Sequence, residues 1–502
     1  MAFVQNFPFI SIILALFSGP LSSILDGKKA KWWNLIMITL IGGMSGAVLS
    51  FVLRTGQEYV YTMGHFPAPW GNEIRIGVLE AFVALFFCII MFLCMVGGVL
   101  EREAQIENGK QNLYYIMVNL LLSSLLALVY TNDLFTAYVF VEINTISACG
   151  LIMIRQNGRT IEAATRYMIM SLLGSGLFLL GICTLYDLTG HLLMSNIQDQ
   201  VRQLHESGNY HLPLIVSLGL MSVGLAIKSA LFPFHAWLPD AYGYSTLSSA
   251  AILSSLVSKG YIFLLIKIFY RVFGFDFVRS THVINILFVF GIAGMIIGSV
   301  DAIRESNIRR MIAYSSVAQI GYIYMGFGLG STAGMIASIY HIIVHAATKS
   351  LLFIAASGLT DASGKSTDFF DLTGGGYRNK LAGAAFTVGS LSMVGFPLFG
   401  GFISKLLFGQ AAMESLHKML PTLIALAISA ILNAVYFMKT VIRIYMPEKR
   451  KVIEKKNFRK ITVKDQPAKA FALICFIIIN VILGIASEPI VRLFESGLKM
   501  FA

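Results

Sequence analysis

Four lysines sit inside long apolar stretches. They are Lys228 in GLAIKSALFPFHAWLP, Lys259 in LSSLVSKGYIFLLI, Lys349 in IIVHAATKSLLFIAA and Lys405 in GFPLFGGFISKLLFGQ. Glu142, in FTAYVFVEINTISACG, is their acidic counterpart. A charge at the centre of a bilayer costs at least ~2.5 kcal/mol even on a lenient scale, so such groups turn toward protein or water and mark ion paths. The chemistry these residue types offer is proton transfer. Burial and a neighbouring carboxylate act on an amine's proton affinity in opposite senses. A Glu142–Lys228 pair whose separation changes is therefore a proton-loading switch, and Lys259, on a neighbouring span, is placed to take the proton onward. The competing reading is a set of static ion pairs that only position helices.

His341, His345 and Lys349 recur at i, i+4 and i+8, which stacks them along one helix face. Histidine both donates and accepts protons near neutral pH, so the stripe can carry protons with water between the groups. The plainer reading of His341 is a core histidine near a helix start. No third ligand is evident for a zinc site. Lys405 follows a Gly395-Phe396-Pro397 interruption, which frees backbone polar groups and admits water. His235, in FPFHAWLPDAY, is a candidate relay near an inner helix end, or a histidine bonded to backbone. Lys439 and Arg443 near an inner end, and Lys267 and Arg271 near an outer end, read as cations reaching for the interface. Ser254, Ser255, Ser258, Ser315, Ser316, Gln319, Tyr322 and Thr348 are weak signs of a hydrated axis, since small polar residues also join helices.

The elements that must position these groups are membrane helices. The chain has 502 residues, 56% of them hydrophobic and 13% charged, where soluble domains carry about 25% charged residues. The net charge of +12 is spread over loops between apolar runs and does not point to nucleic acid. The five cysteines are scattered without a C-x-x-C and read as small core residues. The first apolar run lacks the basic flank of a signal peptide and reads as a retained helix. Runs near 20 residues place spans at roughly 8–25, 33–53, 76–99, 112–130, 133–154, 164–186, 213–232, 246–270, 283–303, 308–329, 331–358, 381–412, 419–445 and 468–488. The fold class is thus an all-α polytopic membrane protein of about fourteen helices. Segment 188–206 is too polar to span and reads as a surface amphipathic helix. With both termini outside, the inner loops collect Lys28, Lys29, Lys31, Arg102, Lys110, Arg155, Arg159, Arg304, Lys365, Arg378, Lys380 and the basic loop 447–469. That alternation follows the positive-inside rule.

Two spans, 213–240 and 381–412, are interrupted by proline or glycine next to a lysine. Paired broken helices point to an internal repeat with an ion site at the breaks. The expected organisation is helices 1–3 over 1–110, a first repeat of helices 4–8 over 111–272, a second of helices 9–13 over 280–446, and the basic loop with helix 14 over 447–502. The chain contains no Walker A motif, no Rossmann fingerprint in a βαβ context, no haem C-x-x-C-H and no HExxH. No cofactor and no catalytic centre of its own are expected.

The run KSALFPFHAWLPDAY, LVSKGYIFLLIK, IRRMIAYSSVAQIGYIYMG, HAATKSLLF and GFPLFGGFISKLL resembles the antiporter-like subunits of respiratory complex I, of multisubunit Mrp cation/proton antiporters and of membrane-bound hydrogenases. The likeness covers roughly 110–445. It implies fourteen helices with inverted five-helix repeats and two broken helices. It also implies a proton path through Glu142, Lys228, Lys259, His345 or Lys349, and Lys405, with His235 and His341 as candidate relays. Lysine rather than glutamate at 405 argues against the middle antiporter-like subunit of complex I, and the absence of a long lateral helix argues against the distal one. The resemblance is nearest the D-type subunits of Mrp modules; the alternative is the proximal antiporter-like subunit of a complex I-type or hydrogenase complex. The implied partners are the other subunits of such a complex, the bilayer, protons and Na+. The implied location is the plasma (inner) membrane with both termini extracytoplasmic. A structural subunit without an ion path and a passive cation channel are the readings of another class.

Overall fold

The computed structural model describes residues 3–66, 71–208, 210–415, 417–447 and 458–501. In a bilayer every backbone polar group must be satisfied within its own segment, so long apolar runs become helices. The chain forms α1 Phe7–Ile24, α2 Gly27–Thr55, α3 Val78–Gly97, α4 Gln111–Tyr130, α5 Leu134–Met153 and α6 Gly158–Thr189. There follow α7 Met194–Ser207, α8 His211–Ser229, α9 Leu238–Tyr244, α10 Leu247–Arg271, α11 Val283–Arg304 and α12 Ile308–Gly328. Further along are α13 Thr332–Ala362, α14 Lys380–Val394, α15 Gly400–Met413, α16 Met419–Ile444, α17 Pro467–Ile485 and α18 Ser487–Lys499, and short helical turns at Val99–Gln105, Phe275–Ser280 and Gly375–Arg378 lie between these elements. Side-chain caps legible in the sequence start several of them. Asn157 accepts from Thr160 N at 3.0 Å, Asn307 from Arg309 N at 2.9 Å and Ser331 from Gly334 N at 3.0 Å.

Twelve helices among the described residues are long and apolar enough to cross a membrane. α12 has the length, with 21 residues, but is more polar. The run expected as one span over 381–412 is divided into α14 and α15. Counting α12 and that broken pair brings the crossing segments to about fourteen. The apolar windows of α10 and α13 are 100% buried, against 39% for those of α1, α2, α6, α16 and α17. α10 and α13 therefore form the axis, and the less buried helices face outward. The expected surface helix appears as α7, with Met194, Ile197 and Val201 turned inward.

The basic loops meet at one end of the bundle. Lys31 pairs with Glu103 at 2.8 Å, Lys110 donates to Gln156 at 2.6 Å, Arg155 to the Tyr244 carbonyl at 3.0 Å, and Lys469 pairs with Asp361 at 2.5 Å. The loops expected on the other side meet at the opposite end, where Gln198 donates to the Tyr270 carbonyl at 2.9 Å and Lys418 to the Gly328 carbonyl at 2.5 Å. Part of the basic loop 447–469, residues 448–457, lies outside the described residues. Two elements had no sequence signal: an antiparallel hairpin of β1 Tyr59–Thr62 and β2 Glu73–Ile76, and α18, which packs Phe494 and Leu498 back onto the bundle.

Candidate functional site

Lys228 lies in the last turn of α8, where free carbonyls and the negative end of the helix dipole favour a cation. The helix stops at Ala230, which is buried and left-handed with φ +62. Such a conformation costs an L-residue roughly 1–2 kcal/mol, so the break is held by its surroundings. The Lys228 ammonium donates to Thr145 Oγ1 at 2.7 Å and stands 5.4 Å from the centre of the Tyr261 ring. Thr145 is one turn along α5 from Glu142. The Glu142 carboxylate is a near charge for Lys228 but is not in ion-pair contact with it; the ammonium is held by Thr145 instead. Glu142 is half-buried on a face of α5 that also shows Phe135 and Ile146, and its Oε1 is buried without a hydrogen-bond partner.

Lys259 is wholly buried on α10. It follows a π-helical turn, Leu253–Val257. Wider turns of this kind interrupt the regular ladder and are frequent at functional sites. Here the Ser254 carbonyl accepts from the Lys259 ammonium at 2.5 Å, and Ser258 Oγ lies at 3.2 Å. α10 is tied to α12 and α13 by hydroxyl pairs: Ser254 with Ser316 at 3.2 Å and Ser255 with Ser350 at 2.6 Å. His341, His345 and Lys349 all lie within electrostatic range of Lys259.

The stripe on α13 has the expected form. The rings of His341 and His345 stack with centroids 6.0 Å apart. Lys349 donates to the Ile312 carbonyl at 3.0 Å and to Ser315 Oγ. Both ring nitrogens of His345 are buried without a protein partner. A buried imidazole in that state needs water, and water is what a relay between Lys349 and His341 requires. His341 Nδ1 meets Ser404 Oγ at 2.7 Å, and its ring stacks on Tyr322 at 5.3 Å. Ser404 adjoins Lys405, which is half-buried and 5.9 Å from the same Tyr322 ring.

Lys405 reaches back across the helix break. It donates to the Met393 carbonyl at 3.0 Å and to the Val394 carbonyl, the unsatisfied end of α14. Gly395 makes this reach feasible. Its φ is +94, and an added Cβ would sit 2.8 Å from Lys405 Cδ.

The four lysines thus share one property. Each is held by hydroxyl or carbonyl oxygen, and among the described residues none has a carboxylate within the 4.0 Å of an ion pair. Neutral acceptors do not lock an amine into its charged state as a bonded carboxylate would. His235 stands apart from this string, at the end of the bundle where the basic loops meet, near Asp301 of α11 and 5.4 Å from the Phe232 ring.

Two residues expected to reach for the interface do not. Lys267 and Arg271 are both wholly buried. Arg271 pairs with the equally buried Glu80 at 2.6 Å and with Glu58 at 3.0 Å, and Lys267 donates to the Val129 carbonyl at 2.8 Å. The hairpin and α3 bring the carboxylates over the end of α10, which makes snorkelling unnecessary. Sequence reasoning also missed Thr145 and Ser404. Thr145 was detectable from its i+3 spacing to Glu142; Ser404 depends on how α15 meets α13.

A family model described as NADH:quinone oxidoreductase/Mrp antiporter, transmembrane, matches residues 131–432. The N-type subunit of the NADH-quinone oxidoreductase of Desulforudis audaxviator is 31% identical over 453 residues, covering 88% of this chain and 87% of that protein. The D-type Na(+)/H(+) antiporter subunit of Alkalihalophilus pseudofirmus is 26% identical over 433 residues, covering 86% and 84%. A chain of the membrane-bound sulfane sulfur reductase, an archaeal respiratory membrane complex, superposes with a TM-score of 0.86 at 25% identity, covering 99% of this chain and 97% of that one. A chain of the Mrp complex from a Dietzia species gives the same TM-score at 22% identity and shares the fold.

Proposed function

The chain belongs to the NADH:quinone oxidoreductase/Mrp antiporter transmembrane family, and on that premise we propose that it translocates protons along Glu142, Lys228, Lys259, Lys349, His345, His341 and Lys405. It is an integral, multi-pass, antiporter-like subunit of an Mrp or complex I-type assembly. The observation that carries the proposal is the string of lysines through the bundle, each bonded to neutral oxygen alone. Arg271 and Glu80, by contrast, pair their buried charges as a static strut does. Each amine in the string can take or release a proton, and its charge state acts on the next through a low-dielectric interior.

In an Mrp-type module, the reading we favour, this movement exchanges protons for Na+. The 31% identity to an N-type oxidoreductase subunit over 88% of the chain supports a second reading, in which electron transfer elsewhere in the complex drives the same path. We assign 111–272 and 280–446 to two functional halves, each with one broken helix. We assign the basic end of the bundle to the cytoplasm and both termini to the outside of the plasma membrane, on the positive-inside rule. The test is proton flux in vesicles holding the whole complex with Glu142→Ala or Lys228→Ala. The proposal expects normal assembly with flux lost; a complex that assembles and transports at the wild-type rate refutes it.

A further inference from the structure

At the inner end of the second half a cavity of about 220 Å³ opens between α11, α12 and α16. Glu305, Asp368, Lys439, Thr440, Arg443 and Tyr436 border it. Its carboxylates are engaged: Glu305 pairs with Arg310 at 2.9 Å, and Asp368 accepts from Phe370 N at 2.8 Å. Its floor is unusual. Tyr436 is only 3% exposed, and its hydroxyl, which donates to Asn433, lies beside the hydroxyls of Ser299 and Ser315. Ser315 Oγ is the oxygen to which Lys349 donates. Phe437, the next residue of α16, has its ring 5.9 Å from the Lys349 ammonium.

Depth agrees with this chain of contacts. Ser315 is seven residues from the start of α12 at the basic end, about 10 Å along the axis. Lys349 is thus the member of the α13 stripe nearest the inner face, and His345 and His341 lead away from it toward Lys405. A cavity lined by charged side chains therefore ends one buried tyrosine and one serine short of the first amine of the stripe.

We propose that this cavity is an inner-face proton port of the second half, in which the Tyr436 and Ser315 hydroxyls relay protons between solvent and Lys349. The assignment rests on the proton path described above and adds its access from one side. In the inward direction, a hydronium ion in the cavity gives a proton to the Tyr436 oxygen and is left as water, while the Tyr436 O–H turns from Asn433 and releases its own proton to Ser315. Ser315 turns from the Ile312 carbonyl, to which it donates at 2.8 Å, and passes its proton to the amine of Lys349. Each hydroxyl gains one proton and loses one, and the net change is an amine converted to ammonium.

The test uses the assembled complex in vesicles. Tyr436→Phe removes one oxygen and keeps the ring; proton flux falls at least tenfold while assembly is unchanged. Lys349→Ala is measured in parallel. If Lys349→Ala abolishes flux and Tyr436→Phe leaves it at the wild-type level, the port is refuted and the path stands. If neither variant changes flux, both are refuted. A second variant separates relay from packing: Thr440→Cys on the cavity wall, treated with an impermeant cationic thiol reagent from the basic face. Labelling there blocks flux, with the unsubstituted complex as the control for native cysteines; complete labelling with undiminished flux overturns the port.

Discussion

Lys349 and Arg271 are both wholly buried, yet their partners differ in kind. Arg271 holds two carboxylates and lies 4.1 Å from the Phe501 ring. Removing it strands Glu80, and an uncompensated buried charge costs roughly 3–5 kcal/mol. Arg271→Ala is therefore expected to lower the melting temperature of the purified complex sharply or to prevent assembly, read by thermal unfolding and native gels. Lys349→Ala strands only a carbonyl and a hydroxyl, so the complex assembles and flux alone is lost. If the two variants behaved alike, the distinction between strut and switch would fall. Thr145 provides a finer test. Thr145→Val keeps the shape but removes the oxygen that holds Lys228. The expected result is flux reduced several-fold, with assembly and the amount of protein unchanged; wild-type flux would show that Thr145 is only a neighbour.

At the scale of elements, three of the four lysines of the proposed path sit where helices depart from regularity, and Lys349 lies within the unbroken α13. α8 ends at Ala230, α14 ends at Gly395, and α10 contains a π turn just before Lys259. Each irregularity releases backbone oxygen that an ammonium can use. Gly395→Ala meets both a left-handed backbone and the Lys405 side chain. Strain of this kind costs about 1–3 kcal/mol, and the displaced Lys405 should lower flux as far as Lys405→Ala does. Unchanged flux in Gly395→Ala would mean that Lys405 does not depend on the break. The sequence disclosed much at this level. Apolar run length revealed the spans, helical spacing revealed the His341–His345–Lys349 face, and proline and glycine revealed both breaks. It did not disclose the π turn, because Leu253–Val257 has no residue type that marks one. Nor did it reveal the Glu80–Arg271 pair, which forms only because α3 and α10 end side by side.

For the molecule as a whole, α10 and α13 are enclosed along their apolar lengths and carry Lys259, His341, His345 and Lys349 through the middle of the bundle. The proposed orientation rests on where the basic loops gather. Gly109→Cys, at the basic end, should react with an impermeant thiol reagent only from the cytoplasmic side, and Asp199→Cys on α7 only from outside. The reverse pattern would invert the assigned topology without disturbing the path. The central claim is that protons pass in series through buried amines, and Lys259 is its most exposed point, since it is the lysine that links the Lys228 side to the α13 stripe. The decisive measurement is proton flux into vesicles containing the intact complex with Lys259→Ala. Flux at background level in a fully assembled complex is the predicted result, and flux equal to that of the unaltered complex would contradict the account.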